Sequence, residues 1–426
     1  MRKLMLILLA LVLLSVPAYA ADWTQSRADA QHTSHTTDVL QPPLAVDWKI
    51  NLGGTIVPSP VVWNGTLYAV VYDSGTVLAL DDHTGAQKWK FKAESGTIES
   101  TPAISNGSIY VGSDDSYVYK LDASSGRMLW RSSVYNSMYS SPLAYDGKIF
   151  IGTNGGDFYA LDEGTGDHVW SLSNVTQSSP AGWDGKIYVG TYGYPDPAKT
   201  LAGIPSSQSV IKHGAFYALD ESTGAVVWSY DLGDDYVHSS PSIYNGTVYV
   251  AAHNGILYAF DAGTGHAKWT YDLGYETDAS PSIDQATGTV FIGTFGGHVF
   301  AFDAADGSEK WISAYYGPIY ASAAVSGNVL YGATQDGILF ALNVMDGAEL
   351  WTYKTVSSEV FVSPVVADGH LFYATTNGDV FAFSPAGVSA TPSPAASAGK
   401  AAATPFIDAL ACVALFGVAL ILKRGR

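Results

Sequence analysis

The chain is nearly devoid of cysteine, with Cys412 alone among 426 residues. One thiol makes no disulfide framework, no Cys-x-x-Cys metal site and no Cys-paired catalytic site within the chain. Basic residues are also scarce: 21 Lys and Arg stand against 39 Asp and Glu, a net charge of -18. Nucleic acid needs a basic footprint and is excluded as a partner. Between the two termini no helical period appears. What is abundant is glycine (44), tyrosine (27) and apolar residues in general (47%). That composition suits many short strands joined by tight turns, with ample material for a large core.

Both ends read as targeting segments. Residues 1–20 carry Arg2 and Lys3, an apolar run and Ala18-Tyr19-Ala20, the pattern of a secretory signal cut before Ala21. No lipobox cysteine is present, so a bacterial lipoprotein is not expected. Residues 388–404 form a Pro/Ala/Ser linker, and 405–426 hold an apolar run ending in Lys423, Arg424 and Arg426. This last segment is expected to anchor the chain in a membrane, or to be a sorting signal that is cleaved. Similar signals of archaeal surface proteins begin Pro-Gly-Phe, where this chain has Thr404-Pro405-Phe406. Either route places residues 21–387 outside the cell membrane and tethered to it.

Residues 21–387 repeat. Eight tryptophans, Trp48, Trp89, Trp130, Trp170, Trp228, Trp269, Trp311 and Trp351, recur about every 40 residues, with one longer interval before Trp228. A period near 40 holding several strand-like runs predicts β-propeller blades. In Tyr244–Trp269, "YNGTVYVAAHNGILYAFDAGTGHAKW", Asn245-Gly246 signals a two-residue hairpin. "SSPSIY", "TVYVAA" and "ILYAFD" read as the first three strands, and the fourth carries the tryptophan. Trp48 lacks three upstream strands and the last unit lacks a tryptophan. The N-terminal strand is therefore expected to complete the last of eight blades and close the ring.

The turn motif Leu/Phe-Asp-x-x-Thr-Gly-x-x-x-Trp appears as "LDDHTGAQKW", "LDEGTGDHVW" and "FDAGTGHAKW", with four further variants. It resembles the tryptophan-docking repeat of the pyrroloquinoline-quinone (PQQ) type β-propeller, and "DWTQSRADAQHTSHT" (22–36) resembles the start of its secreted members. The resemblance implies an all-β, eight-bladed propeller. The family includes quinone-dependent alcohol and sugar dehydrogenases, and also non-enzymatic members such as the bacterial outer-membrane assembly scaffold. The alcohol-oxidising branch stacks a vicinal disulfide on its quinone, which Cys412 alone cannot form. The expectation is a non-enzymatic surface module. The alternative is a PQQ- and Ca²⁺-dependent oxidoreductase.

The repeated residues read as architecture. Asp81, Asp122, Asp162, Asp220, Asp261 and Asp303 open the turns and accept backbone N–H groups. Gly85, Gly126, Gly166, Gly224, Gly265 and Gly307 supply positive φ. Trp89, Trp130, Trp170, Trp228, Trp269, Trp311 and Trp351 are expected to pack between blades. Function is sought where copies differ. Strand alternation sends the Asn-Gly hairpins and Asp-x-x-Thr-Gly turns to one face, here the hairpin face. The remaining loops, including a long insertion within 191–214, go to the other, the variable face. Three residues before each innermost proline or its equivalent stand Val57, Glu99, Tyr139, Gln177, His238, Asp278, Tyr320 and Phe361. By symmetry they surround the mouth of the central channel. Glu99, Tyr139, Gln177, His238, Asp278 and Tyr320 are the ligand candidates, for a protein, glycan or small molecule. Asp234 and Asp235 add acid to the same face. His253 turns toward that face as well, and no metal centre is expected there. Sequons at Asn64, Asn106, Asn174 and Asn245 are possible glycosylation sites.

Overall fold

The computed structural model describes residues 21–173, 178–191, 194–195, 210–211, 214–233, 235–355 and 360–387. The expected signal segment, linker and anchor lie outside them, as do Asn174, Gln177 and Asp234. Among the described residues no helix is long and apolar enough to cross a membrane.

Eight four-stranded antiparallel blades form the ring, blade 7 gaining His35–Thr36 as a parallel fifth strand against Ala324–Ser326, with no helix among the described residues. Blade 1 runs Val61–Trp63, Thr66–Val71, Thr76–Asp81 and Gln87–Lys92, from axis to rim. Blade 5 repeats it as Ser242–Tyr244, Thr247–Ala251, Ile256–Asp261 and Ala267–Asp272. Blade 8 has Val365–Ala367, His370–Ala374 and Asp379–Pro385, and its rim strand is Leu44–Asn51 from the N-terminal end. The ring closes as the tryptophan count implies.

Burial follows strand position. Thr247–Ala251 is buried at every residue, because a central strand is covered by the neighbouring blade on each side. The rim strand Ala267–Asp272 alternates, with one edge in water. The innermost strand is shorter than the sequence suggests, Ser242–Tyr244 rather than 239–244. Pro241 lacks an N–H, and the Ser240 N–H leaves the blade to bond Ser280 Oγ at 2.9 Å.

Each tryptophan docks on the next blade. Trp228 Nε1 donates to Ala262 O at 2.9 Å, and Tyr188 of the same blade donates its hydroxyl to that oxygen at 3.0 Å. Trp89 and Tyr68 do the same to Ala123 O, at 2.9 and 3.1 Å. Gly265 has φ +73°, and a Cβ there would sit 2.6 Å from the Trp228 ring. The glycine thus gives the turn its left-handed residue and the indole a flat surface. Asp261 Oδ1 accepts from the N–H groups of Gly263 and Thr264. In the hairpins, Asn245 and Gly246 have φ of 47° and 70°, as a type I′ turn requires.

Candidate functional site

The N-terminal segment, an irregular stretch in the sequence, organises the channel. It runs around the axis and accepts the central N–H of one inner strand after another. Ile104 N donates to Thr24 O (2.6 Å), Gly182 N to Ala30 O (2.8 Å), Ile243 N to Gln31 O (2.9 Å) and Val325 N to Ser34 O (2.8 Å). Val62 N and Ile283 N donate likewise to Trp23 O and Thr33 O, and Ala144 N donates to the side-chain Oε1 of Gln25. Inner strands are edges with unpaired donors, and seven of them are satisfied this way. The contacts fall one residue before each hairpin, so the plug sits at the hairpin end of the channel.

At its centre Arg27 is 6% exposed. It donates to Ser240 O (3.1 Å), Ser242 Oγ (2.6 Å) and Ser34 Oγ (3.2 Å). Burial lowers its pKa to about 9, with the Asp29 charge opposing, so it stays cationic near neutrality. Burial pushes Asp29 up, against hydrogen bonds from Thr33 and the charge of Arg27. Buried His32 is driven well down by its burial and then by the Arg27 charge, and is neutral.

Toward the variable face lies a belt of hydroxyls, one per blade, each just before the innermost proline or Ala323. Ser59 N donates to Thr101 Oγ1, Thr101 N to Ser141 Oγ and Ser141 N to Ser179 Oγ, at 3.0–3.1 Å. Ser240, Ser280, Ser322 and Ser363 continue it, and Ser363 N returns to Ser59 Oγ at 3.0 Å. The repeated Ser/Thr-Pro pair was its signal in the sequence.

Two positions further out stand the predicted mouth residues. Val57, Glu99, Tyr139, His238, Asp278, Tyr320 and Phe361 are all half-buried. The structure brings some of them together. Asp278 Oδ1 meets His253 Nδ1 at 2.8 Å and His238 Nδ1 at 3.3 Å. Burial favours the neutral Asp278 carboxyl, but the two histidine hydrogen bonds and charges overcome it and hold the group well below the usual range. The hydrogen bond to Asp278 raises His253, against its burial. Tyr320 lies 4.1 Å from Phe295 and 5.6 Å from Phe361, centroid to centroid. Tyr236 stacks on His253 at 4.6 Å. An arc of aromatic and imidazole rings therefore lines blades 5 to 8.

Glu99 stands apart from that arc. It hydrogen-bonds Tyr72 and faces Asp114, which accepts from Thr97. Burial, then the Asp114 charge, raises Glu99 to about 8. Tyr72 and Phe295 share a register with Asp114 and His253, six residues after the start of the second strand, and sequence reasoning followed only the inner-strand register.

A cation fits this mouth better than an anion. The ligand atoms of His238, His253 and Asp278 lie within 4.8 Å of one another. None of the strongest charges acting on Glu99, His253 or Asp278 belongs to a lysine or arginine. PQQ carries three carboxylates, which the described acids at this mouth would repel unless a cation lay between them. On the hairpin face a groove of about 410 Å³ runs past His35, Val39, Asp284 and Met345, away from the mouth. Asn64, Asn106 and Asn245 are exposed there, although Asn106 Nδ2 already donates to Glu163 Oε1 at 3.0 Å.

Comparison with known proteins agrees with this architecture. The family model described as outer membrane protein assembly factor BamB matches residues 45–102, 73–194, 184–323 and 276–408. BamB from Moraxella catarrhalis superposes with a TM-score of 0.65 at 19% identity, covering 80% of this chain and 99% of that one. Quinohemoprotein alcohol dehydrogenase from Comamonas testosteroni superposes with a TM-score of 0.72 at 18% identity, covering 92% and 84%. In sequence, a quinohemoprotein alcohol dehydrogenase of the same organism is 26% identical over 131 residues, 28% of this chain and only 18% of that protein. At such identities the structural likenesses establish the fold. The family match spans most of residues 45–408, and the chain belongs to the PQQ-type β-propeller family described as outer membrane protein assembly factor BamB.

Proposed function

We propose that the chain is an extracytoplasmic, surface-tethered, non-enzymatic propeller that binds a protein partner at its variable face. The supporting observation is the one-sided channel. The N-terminal plug occupies the hairpin end, while the other end opens among carboxylates and aromatic rings. A basic side chain on an aromatic-rich tip matches that lining. Between the second and third strands of blade 4, on the same face, the backbone forms the short pair Tyr194–Pro195 and Val210–Ile211. The matched family's name, an assembly factor, supports a scaffold role. A glycan or small ligand is the competing occupant, and glycans on Asn64 and Asn245 would leave the mouth free.

The alternative, a quinone-dependent oxidoreductase, is supported by likeness to the alcohol dehydrogenases alone. Adding PQQ and Ca²⁺ to the purified full chain separates the two. The binding reading predicts no bound-quinone absorbance and no alcohol- or sugar-dependent dye reduction. Stoichiometric quinone with substrate-dependent reduction would replace it with the enzyme.

A further inference from the structure

The seam where blade 8 meets blade 1 differs from the other seams. The residue after the turn-opening aspartate, or Asn343 in blade 7, is Ala123, Ala262, Ala304 or Val344 in four blades, and an acid in three. Two of those acids have donors from the preceding blade. Glu163 accepts from Asn106 and Tyr110, and Glu221 pairs with Lys148 at 2.8 Å. Asp82, in blade 1, faces the Asp368 carboxylate of the blade 8 hairpin instead. Asp82 is 1% exposed, and its Oδ2 is buried without a hydrogen-bond partner.

Histidines complete the group. His83 Nδ1 is 2.9 Å from Asp82 Oδ1 and 3.5 Å from Asp368 Oδ2. Behind it, His370 contacts Asp368 O through Nδ1 (2.8 Å) and Asp47 of the closing strand through Nε2 (3.1 Å). No other blade has histidine at the positions of His83 or His370.

We propose that Asp82, His83 and Asp368 form a binding site for a divalent transition-metal ion that clamps the ring closure. The three ligand atoms lie within 4.8 Å of one another. Ligands held about 2.0–2.2 Å from zinc stand about 3–3.5 Å apart, which matches the two His83 distances. One imidazole and two carboxylates suit Zn²⁺ or Mn²⁺ and balance the ion's charge. A donorless buried oxygen opposite a second carboxylate is costly unless a cation lies between them. His370 and Asp47 orient the Asp368 hairpin from outside the ligand set. A metal here ties residue 82 to residue 368, joining the two ends of the propeller.

The test uses the chelator-stripped full chain in an Asp278→Asn background, which disables the mouth cluster. Titration with ZnCl₂ or MnCl₂ is followed by calorimetry and thermal unfolding. One saturable site of micromolar or tighter affinity is expected, with a rise in Tm. Asp368→Asn and His83→Ser should each weaken it at least tenfold and abolish the rise. Both substitutions use residues that other blades carry at those positions (Asn245, Ser124), so folding is expected to survive. Absence of saturable binding, or equal affinity in both variants, overturns the proposal and leaves the carboxylates sharing a proton.

Discussion

On the hairpin face, Trp228 and Tyr188 donate to one carbonyl, Ala262 O, and Trp89 and Tyr68 repeat the arrangement at Ala123 O. On the variable face, the same register places Glu99 against Tyr72 and Asp114, but His238 against Asp278. One face makes a single contact many times, and the other reuses one position for different chemistry. The comparison explains how conspicuous residues can be functionally silent. Asp261, Gly265 and Trp269 recur because every seam needs them, whereas a binding site needs departures from the repeat. The plug adds to the contrast. It satisfies the inner edges on the hairpin side and leaves the mouth to the loops.

The largest effect should come from breaking the plug. Arg27→Ala leaves Asp29, two carbonyls and two hydroxyls facing an uncompensated void, and should cost about 3–5 kcal/mol in chemical unfolding. A cost below about 1 kcal/mol would mean that the segment is not structural.

Next in size is a pair of glycine substitutions, one per face. Gly265→Ala faces both a left-handed backbone and the Trp228 ring, and should cost about 3 kcal/mol. Gly274→Ala, with φ +71° and open space around it on the variable side, should cost about 1–2 kcal/mol. Equal losses would remove the docking role assigned to the hairpin-face glycine.

A smaller effect is expected at the mouth. Glu99 keeps its proton to about pH 8 in the folded chain, against about 4.5 as an unperturbed group. The folded state therefore binds more protons across that window, and this group's contribution to stability falls as pH rises through it. Glu99→Gln should leave Tm unchanged near pH 4 and raise it near pH 9, by the equivalent of roughly 1–3 kcal/mol. An unchanged pH profile would place Glu99 in water.

Much of the fold was legible in the sequence because the repeat reports it many times over. Tryptophan spacing gave the blade count, and the orphan Trp48 strand gave the closure. The mouth register was legible too, since symmetry carries one position around the axis. The plug was not. Arg27, Ala28, His32 and Ser34 adopt positive φ without glycine, in a stretch lacking any period, and only the assembled ring makes that backbone favourable. Phe295 and Tyr72 hold a second repeated position, just past the second strand, that differs in residue type from blade to blade and so carries no motif. The seam cluster was hidden for another reason. Asp82 and Asp368 are far apart in sequence, and only ring closure makes them neighbours.

The central claim, that partners meet the variable face, is tested most directly by photo-crosslinking on intact cells. A photoreactive residue replaces Tyr320 at the mouth in one strain and Ala305 on the hairpin face in another. The account predicts a discrete protein adduct from position 320 that Asp278→Asn with Glu99→Gln diminishes, and none from 305. A discrete adduct from 305 with none from 320 would contradict it.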